Sequence, residues 1–394
     1  MKGERLCSNG GAVHPTRNDT LPPPMKHSLP SLLTVGAAML LGSPATPARA
    51  ATTILHSFTG GVSDGASPNG SLTLSGSKFY GMTNTGGSGN QGALFSMNTD
   101  GTGFGLLHSF TGGVSDGSKP YGSLVLSGSK LYGMTLNGGR VGSGPSGTLF
   151  SMNIDGSGFG LLHSFTGGAS DGYFPVGSLT LSDSKLYGMT QLGGSDGHGS
   201  LFSMNTDGSG YSLLHSFAGG TSDGASPHGS LTLTGSILYG MTAGGGSSNN
   251  PGVLFRMNAD GSGYTLLHNF TGGATDGSNP SGSLTLSGSM LYGMTANGGI
   301  SEGGTLFSIG TDGSSFGLLE SFAGAPADGA RPFFGDLTLS GDGATLYGMT
   351  AFGGTANQGV VFSRSLVPEP GTFALLGLGT LLLAARRGKS SPRL

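Results

Sequence analysis

One unit, copied six times, constrains this chain more than any other feature of it. The tyrosine of a YGMT segment recurs at Tyr80, Tyr132, Tyr187, Tyr239, Tyr292 and Tyr347, and the phenylalanine that closes a later segment (LHSF in most copies) recurs at Phe58, Phe110, Phe165, Phe217, Phe270 and Phe322. The steps of 52 to 55 residues define a repeat architecture. This decides how the composition is read. With 81 Gly in 394 residues and 9% charged residues, an aperiodic chain would read as low-complexity. Here the glycines fall with Ser, Asn and Asp between short apolar runs, which makes them punctuation between strands.

Each copy carries four such runs, shown by the third: strand A at GSLTLS, strand B at KLYGMT, strand C at GSLFSMN and strand D at YSLLHSF. Four antiparallel strands per unit is the blade of a β-propeller. Alternation puts Tyr187 and Met189 on one side of strand B, and Phe202 and Met204 on one side of strand C. It also puts Tyr211, Leu213, His215 and Phe217 together on one side of strand D. The C-to-D connection holds an Asp-Gly pair suited to a tight hairpin, at Asp207 and again at Asp100, Asp155, Asp260 and Asp312. The chain opens on a D strand, Ile54 to Phe58, and the sixth copy stops at a C strand, Val360 to Arg364. The expected fold is therefore all-β: a six-bladed propeller over residues 51–366, closed by the N-terminal strand pairing into the last blade, so that no sheet edge is left open. A β-solenoid is the competing architecture, but it needs capping ends rather than complementary ones.

The flanks read as targeting segments. Residues 1–24 lack periodicity and are read as an over-called start or a disordered extension. From Met25 to Ala50 a signal peptide follows, with Lys26, an apolar stretch Leu29 to Leu41, and Ala48-Arg49-Ala50 as the cleavage pattern. Cys7 is the only cysteine, so the exported body relies on neither disulfides nor thiol chemistry. At the other end stand Val367-Pro368-Glu369-Pro370, an apolar run Phe373 to Ala385, and Arg386-Arg387. Thirteen helical residues span about 20 Å, short of the roughly 30 Å hydrocarbon core. The arginines favour a cytoplasmic end.

That three-part order resembles a PEP-CTERM sorting signal, carried by Pro368, Glu369, Pro370, Arg386 and Arg387 over residues 367–394. The resemblance implies an exosortase-type sorting protease as partner. It also implies transient membrane insertion by the C-terminal hydrophobic helix and release to the cell envelope, surface or extracellular matrix. The internal order SLTLSG, LYGMTxxGG, LFSMN, LLHSF resembles the GloVer-type tandem repeats of the choice-of-anchor family. This second resemblance implies architecture and brings no catalytic motif with it.

Candidate chemistry is sparse. The histidines at His56, His108, His163, His215 and His268 lie one per blade on the outer strand, too far apart to share a zinc ion at ligand distance; they are expected to be structural, with Glu320 in the sixth copy. The aspartates of the DGxxP segments, Asp64, Asp116, Asp171, Asp223, Asp276 and Asp328, suit turns. The alternative is a ring of carboxylates around the top of the central channel, binding calcium or a cationic group. Gly87 to Gly92 fits GxGxxG and Gly193 to Gly197 fits GxSxG, but both join strand to strand and lack the strand-to-helix context their chemistry requires. No cofactor is implied. A net charge of -3 without a basic stripe excludes nucleic acid as a partner.

The loops from strand B to strand C vary in length and side chains while the strands scarcely change, and they emerge on the same face as the DGxxP turns. They carry Arg140, Asp196, His198, Asn249, Asn250, Glu302 and Asn357, the expected binding face. The expected function is that of an exported, non-enzymatic interaction or matrix protein, with exopolysaccharide as its candidate partner. A propeller-fold polysaccharide hydrolase or lyase is the alternative. It is disfavoured because acid pairs at the roughly 5 to 9.5 Å spacing of glycosidases are not expected from acids that occur once per repeat, with exceptions such as Glu302 and Asp336.

Overall fold

The computed structural model describes residues 54–139, 146–324, 328–332, 336–355, 357 and 359–366. The expected extension at 1–24, the signal peptide at 25–50, the sorting segment at 367–394 and Arg140 lie outside the described residues. The described chain is all-β, and its strands form six blades around a common channel, a six-bladed β-propeller.

Blade 3 shows the plan. Strand A comes in two pieces, Gly172–Tyr173 and Thr180–Ser182. Strand B is Lys185–Thr190, strand C Ser200–Asn205 and strand D Ser212–Ser216. They pair antiparallel in the order A-B-C-D, with Thr180 opposite Tyr187 and Tyr187 opposite Ser203. The glycine of LYGMT is there for space: a Cβ on Gly188 would lie 2.5 Å from the ring of Phe202, so only glycine lets that ring lie across strand B.

The apolar side chains form five clusters, one at each junction between consecutive blades. Between blades 3 and 4, Tyr187, Met189, Leu201 and Phe217 meet Leu231, Leu238, Val253, Phe255 and Met257. The opposite side of blade 3 gives Leu179, Leu186, Phe202 and Met204 to blade 2. The alternation expected for strands B and C holds. That expected for strand D does not, because Leu201 faces His215 while Phe202 faces Leu213, leaving Leu214 as an extra, bulged residue. The bulge breaks the two-residue period. As a result Tyr211 and Leu213 pack toward blade 2, whereas His215 and Phe217 pack toward blade 4. The same register shift occurs in the first five blades.

The inner strands stitch the blades together near the axis. Ser71, Ser123, Ser178 and Ser230 each donate a backbone N–H to the serine Oγ of the next blade at 2.7–3.1 Å, and Ser283 donates to Asp336 Oδ1 at 2.9 Å. The preceding glycines permit this approach, since a Cβ on Gly177 would lie 2.2 Å from the Gly229 carbonyl oxygen.

Among the described residues the main ladder of blade 6 has three strands, Thr338–Leu339, Thr345–Thr350 and Val360–Ser365. Ile54–Phe58, expected as its fourth, takes the position of a D element against blade 1. His56 stacks on Phe104 with ring centroids 3.7 Å apart, and Leu55 lies against the Gly101 turn as Leu107 lies against Gly156. Among the described residues no ladder joins Ile54–Phe58 to Val360–Ser365. The bonds that hold the segment, from His56 and Thr59 to Asp64, close loops of only 8 and 5 residues. Pairing with Val360–Ser365 must close a loop of the whole ring, at a greater cost in chain entropy.

Candidate binding surface

The repeated histidines and aspartates meet in one clasp. In blade 3, Asp171 Oδ2 accepts from the backbone N–H and the hydroxyl of Thr166, both at 2.8 Å. Oδ1 accepts from Gly172 N at 2.8 Å, His163 Nε2 lies 3.1 Å away, and the Tyr211 hydroxyl donates at 2.7 Å. The His163 ring stacks on Tyr211 of the following D strand at 3.9 Å. Burial would raise the Asp171 carboxyl, but these donors outweigh it and hold it down at about 2. The Tyr211 hydroxyl is pushed up by burial and by that carboxylate. The histidine–aspartate pair of this clasp recurs at His56–Asp64, His108–Asp116, His215–Asp223 and His268–Asp276, each at 3.1 Å. Their carboxylates therefore face their own turns, not the channel mouth where the alternative reading had them bind calcium. Among the described residues no group of three or more metal-ligating side chains comes together.

The C-to-D turns are equally self-contained. Asp207 accepts from Ser209 N at 2.9 Å and from Ser209 Oγ at 2.6 Å, with Gly208 at φ 88. That face of the molecule repeats one structure.

The opposite face is varied, and its loops are built into the scaffold. In each of five junctions a carbonyl from one blade's B-to-C loop accepts an N–H from the next blade's DGxxP segment: Lys119 to Gln91, Phe174 to Ser146, Ser226 to His198, Asn279 to Pro251 and Arg331 to Gly303, at 2.6–3.2 Å. The donors, and Ser67 at the same repeat position in the first blade, share an unusual backbone. Ser67, Lys119, Phe174, Ser226, Asn279 and Arg331 all lie at φ between 50 and 65 and each precedes a proline. A side chain disfavours the left-handed region, and so does a following proline. Such strain persists only where the surroundings fix it.

Of the residues expected to form the binding face, three serve their own loops. Asn250, Glu302 and Asn357 sit at φ 57, 55 and 52 and accept the N–H of Gly245, Gly298 and Gly353 through their side chains. Asp196 accepts the Ser195 hydroxyl at 2.6 Å, and Asp196, His198 and Asn249 are exposed. The six described positions are thus spread over four loops on one face rather than gathered in one pocket. The pre-proline position was missed by the sequence reading although its signal was present. It changes from Ser to Lys, Phe, Ser, Asn and Arg through the copies while the flanking Asp, Gly and Pro stay fixed.

A model of the Gloeobacter/Verrucomicrobia repeat matches residues 44–251 and 236–376, and a model of the PEP-CTERM protein-sorting motif matches residues 366–389. None of the curated protein sequences matches the chain. Among solved structures, an oligogalacturonate lyase in complex with manganese is 12% identical with a TM-score of 0.50, over 78% of this chain and 79% of that one. The oligogalacturonate lyase of Vibrio parahaemolyticus is 13% identical with a TM-score of 0.47, over 74% and 75%. TolB of Acinetobacter baumannii is 12% identical with a TM-score of 0.41, over 70% of this chain and 57% of its own. At these identities the likeness is one of fold alone.

Proposed function

The chain belongs to the Gloeobacter/Verrucomicrobia repeat family and carries a PEP-CTERM motif, which marks it as exported and sorted to the cell envelope or surface, and we propose that its propeller acts there as a non-enzymatic binding and structural module for hydroxyl-rich matrix polysaccharide. The motif implies processing by exosortase-type machinery. In this reading Phe373 to Ala385 holds the chain in the membrane transiently, and Arg386 and Arg387 keep that end cytoplasmic. Cleavage near Pro368-Glu369-Pro370 then releases the body.

One observation carries the reading: variable polar side chains stand on loops that the backbone stitches into the neighbouring blade. Lys119, Asp196, His198, Asn249, Asn279 and Arg331 are the proposed contacts, all on the face of the DGxxP turns. Rigid loops lose little entropy on binding, and weak contacts repeated around a ring gain from a polymer that offers many equivalent sites. The repeated acids argue for binding over catalysis, since the clasp and turn aspartates already accept two to five internal hydrogen bonds. The test is retention of the surface-released protein on its native polysaccharide, with product formation followed in the same sample. Replacing the loop Gln191 to Gly199 with a first-copy loop, together with Lys119→Ser and Arg331→Ser, is expected to reduce retention without any product appearing. Undiminished retention, or turnover, refutes the proposal.

A further inference from the structure

The inner ends of all six blades enclose a cavity of about 390 Å³ on the axis. Its wall is almost uniform, a Gly–Ser pair from each of the first five blades. Four of these serine hydroxyls accept the backbone N–H of the blade before. A hydroxyl that accepts still has its own proton to donate, and among the described residues no protein acceptor takes those protons. The wall is therefore a ring of hydrogen-bond donors.

Blade 6 departs from this pattern. Where the other five have Ser71, Ser123, Ser178, Ser230 and Ser283, it has Asp336. The link to the scaffold does not require the change, since Asp336 Oδ1 accepts Ser283 N at 2.9 Å while serine Oγ does the same at 2.7–3.1 Å elsewhere. What aspartate adds is a negative charge and a second oxygen, on an exposed residue, in a cavity where it is the sole charged residue among the described lining. We infer that the axial cavity is a second binding site, separate from the loop face, for a small polyhydroxylated ligand bearing a protonated amine, such as an amino-sugar unit. Serine hydroxyls pair with ligand hydroxyls, and the Asp336 carboxylate pairs with the ammonium group. A single carboxylate among neutral hydroxyls suits one monovalent ammonium. It lacks the several oxygen-donor charges by which proteins hold calcium tightly, and its volume falls within the range of small-molecule sites.

The decisive variant is Asp336→Ser, which restores the residue of the other five copies and keeps an acceptor for Ser283 N. The surface-released protein, wild type and variant, is titrated by calorimetry and ligand-observed NMR with glucosamine, with glucose and with calcium chloride. The expected result is saturable binding of glucosamine that Asp336→Ser weakens by roughly tenfold or more, as the loss of a charge-assisted hydrogen bond does. Glucose is expected to bind more weakly and equally to both proteins, and raised salt to weaken glucosamine alone. The inference is overturned if glucosamine does not bind saturably, if it binds both proteins equally, or if calcium binds through Asp336 while glucosamine does not. The loop exchange that tests the polysaccharide face leaves this cavity intact, so the two readings fail independently.

Discussion

The junction between blades 3 and 4 and the seam between blades 6 and 1 are built from the same repeat, yet only the first is sealed. Between blades 3 and 4, Tyr187 and Met189 are buried against Leu231 and Val253, and the His215–Asp223 clasp with its Tyr264 stack locks the rim. At the seam the equivalent side chains face solvent: Tyr347 is 45% exposed, Met349 57% and Val361 76%, against 3% for Tyr80, 3% for Met82 and 0% for Leu94. Across from them Leu72 and Leu74 of blade 1 are exposed as well. The comparison separates what a copy's sequence supplies from what its place in the ring supplies. Apolar faces are present in every copy, but burial needs a neighbour on both sides, and the seam is where the chain's two ends must provide one.

Matched methionines test this most severely. Met241 and Met349 occupy the same repeat position, the first 2% exposed. Met241→Ala is expected to cost about 2–5 kcal/mol, and Met349→Ala less than about 1 kcal/mol. Urea titration of both variants reads the difference directly. Equal losses would mean that the seam is sealed in solution and that the ring closes there as tightly as elsewhere.

Removing residues up to 61 attacks the seam from its other side. It strips His56 from its stack on Phe104 and Phe58 from its edge contact with Phe95, centroids 5.3 Å apart, leaving blade 1 with an uncovered apolar flank. We expect a loss of about 2–3 kcal/mol and concentration-dependent association, seen by light scattering. A truncated protein that stays monomeric and melts at the wild-type temperature would show that Ile54–Phe58 covers nothing.

Much of this was legible in the sequence, because the period and the two-residue alternation fix strands, blade count and the faces of strands B and C. Two features were not. The Leu214 bulge moves His215 and Phe217 to the following blade, and no residue type announces it, since Leu214 differs in no way from Leu213. The clasp was read as separate turn aspartates and marginal histidines, for the partners lie 8 residues apart across a reversal of the chain. Once the clasp is known, Glu320 has a cause. Each clasp histidine stacks on the aromatic residue leading into the next blade's strand D, as His268 does on Phe316. Among the described residues blade 6 has no such strand to offer a ring, and Glu320 bonds Arg364 at 3.1 Å instead. On the variable face the loops were found by their variation. Their stitching was not, because it runs through backbone groups that every residue possesses.

The clasps also make a prediction in pH. A carboxyl held at about 2 in the folded protein, as in Asp171, against roughly 3.9 in an unfolded chain, stabilises the fold wherever it is ionised. That contribution is complete above about pH 5 and is lost as pH falls toward 2. Asp116, Asp223 and Asp276 are lowered as well, their donors outweighing burial, so acid unfolding is expected to be steep. Asp171→Asn is expected to cost about 2 kcal/mol at neutral pH and to flatten the acid limb. Asp328→Asn should cost less, because among the described residues Asp328 accepts the Ala323 and Gly329 N–H groups and no histidine stands beside it, position 320 being Glu. Denaturant midpoints between pH 2 and pH 7 distinguish the two. Equal effects would reduce the clasp to a turn.

The smallest effect concerns backbone strain at the pre-proline position. Ser67 and Ser226 hold φ of 54 and 51 before a proline. Ser226 N bonds the His198 carbonyl of blade 3 at 2.7 Å. The two angles agree within a few degrees, and the same DGxxP turn surrounds both serines, with glycines paired across it at Gly65–Gly86 and Gly224–Gly245. Glycine adopts this conformation without the side-chain penalty, at a cost in unfolded-chain entropy. Ser67→Gly and Ser226→Gly are accordingly expected to stabilise the protein slightly and equally, by less than about 1 kcal/mol each. A gain at one serine with none at the other, read from paired denaturant midpoints, would show that the turn does not hold the two positions alike.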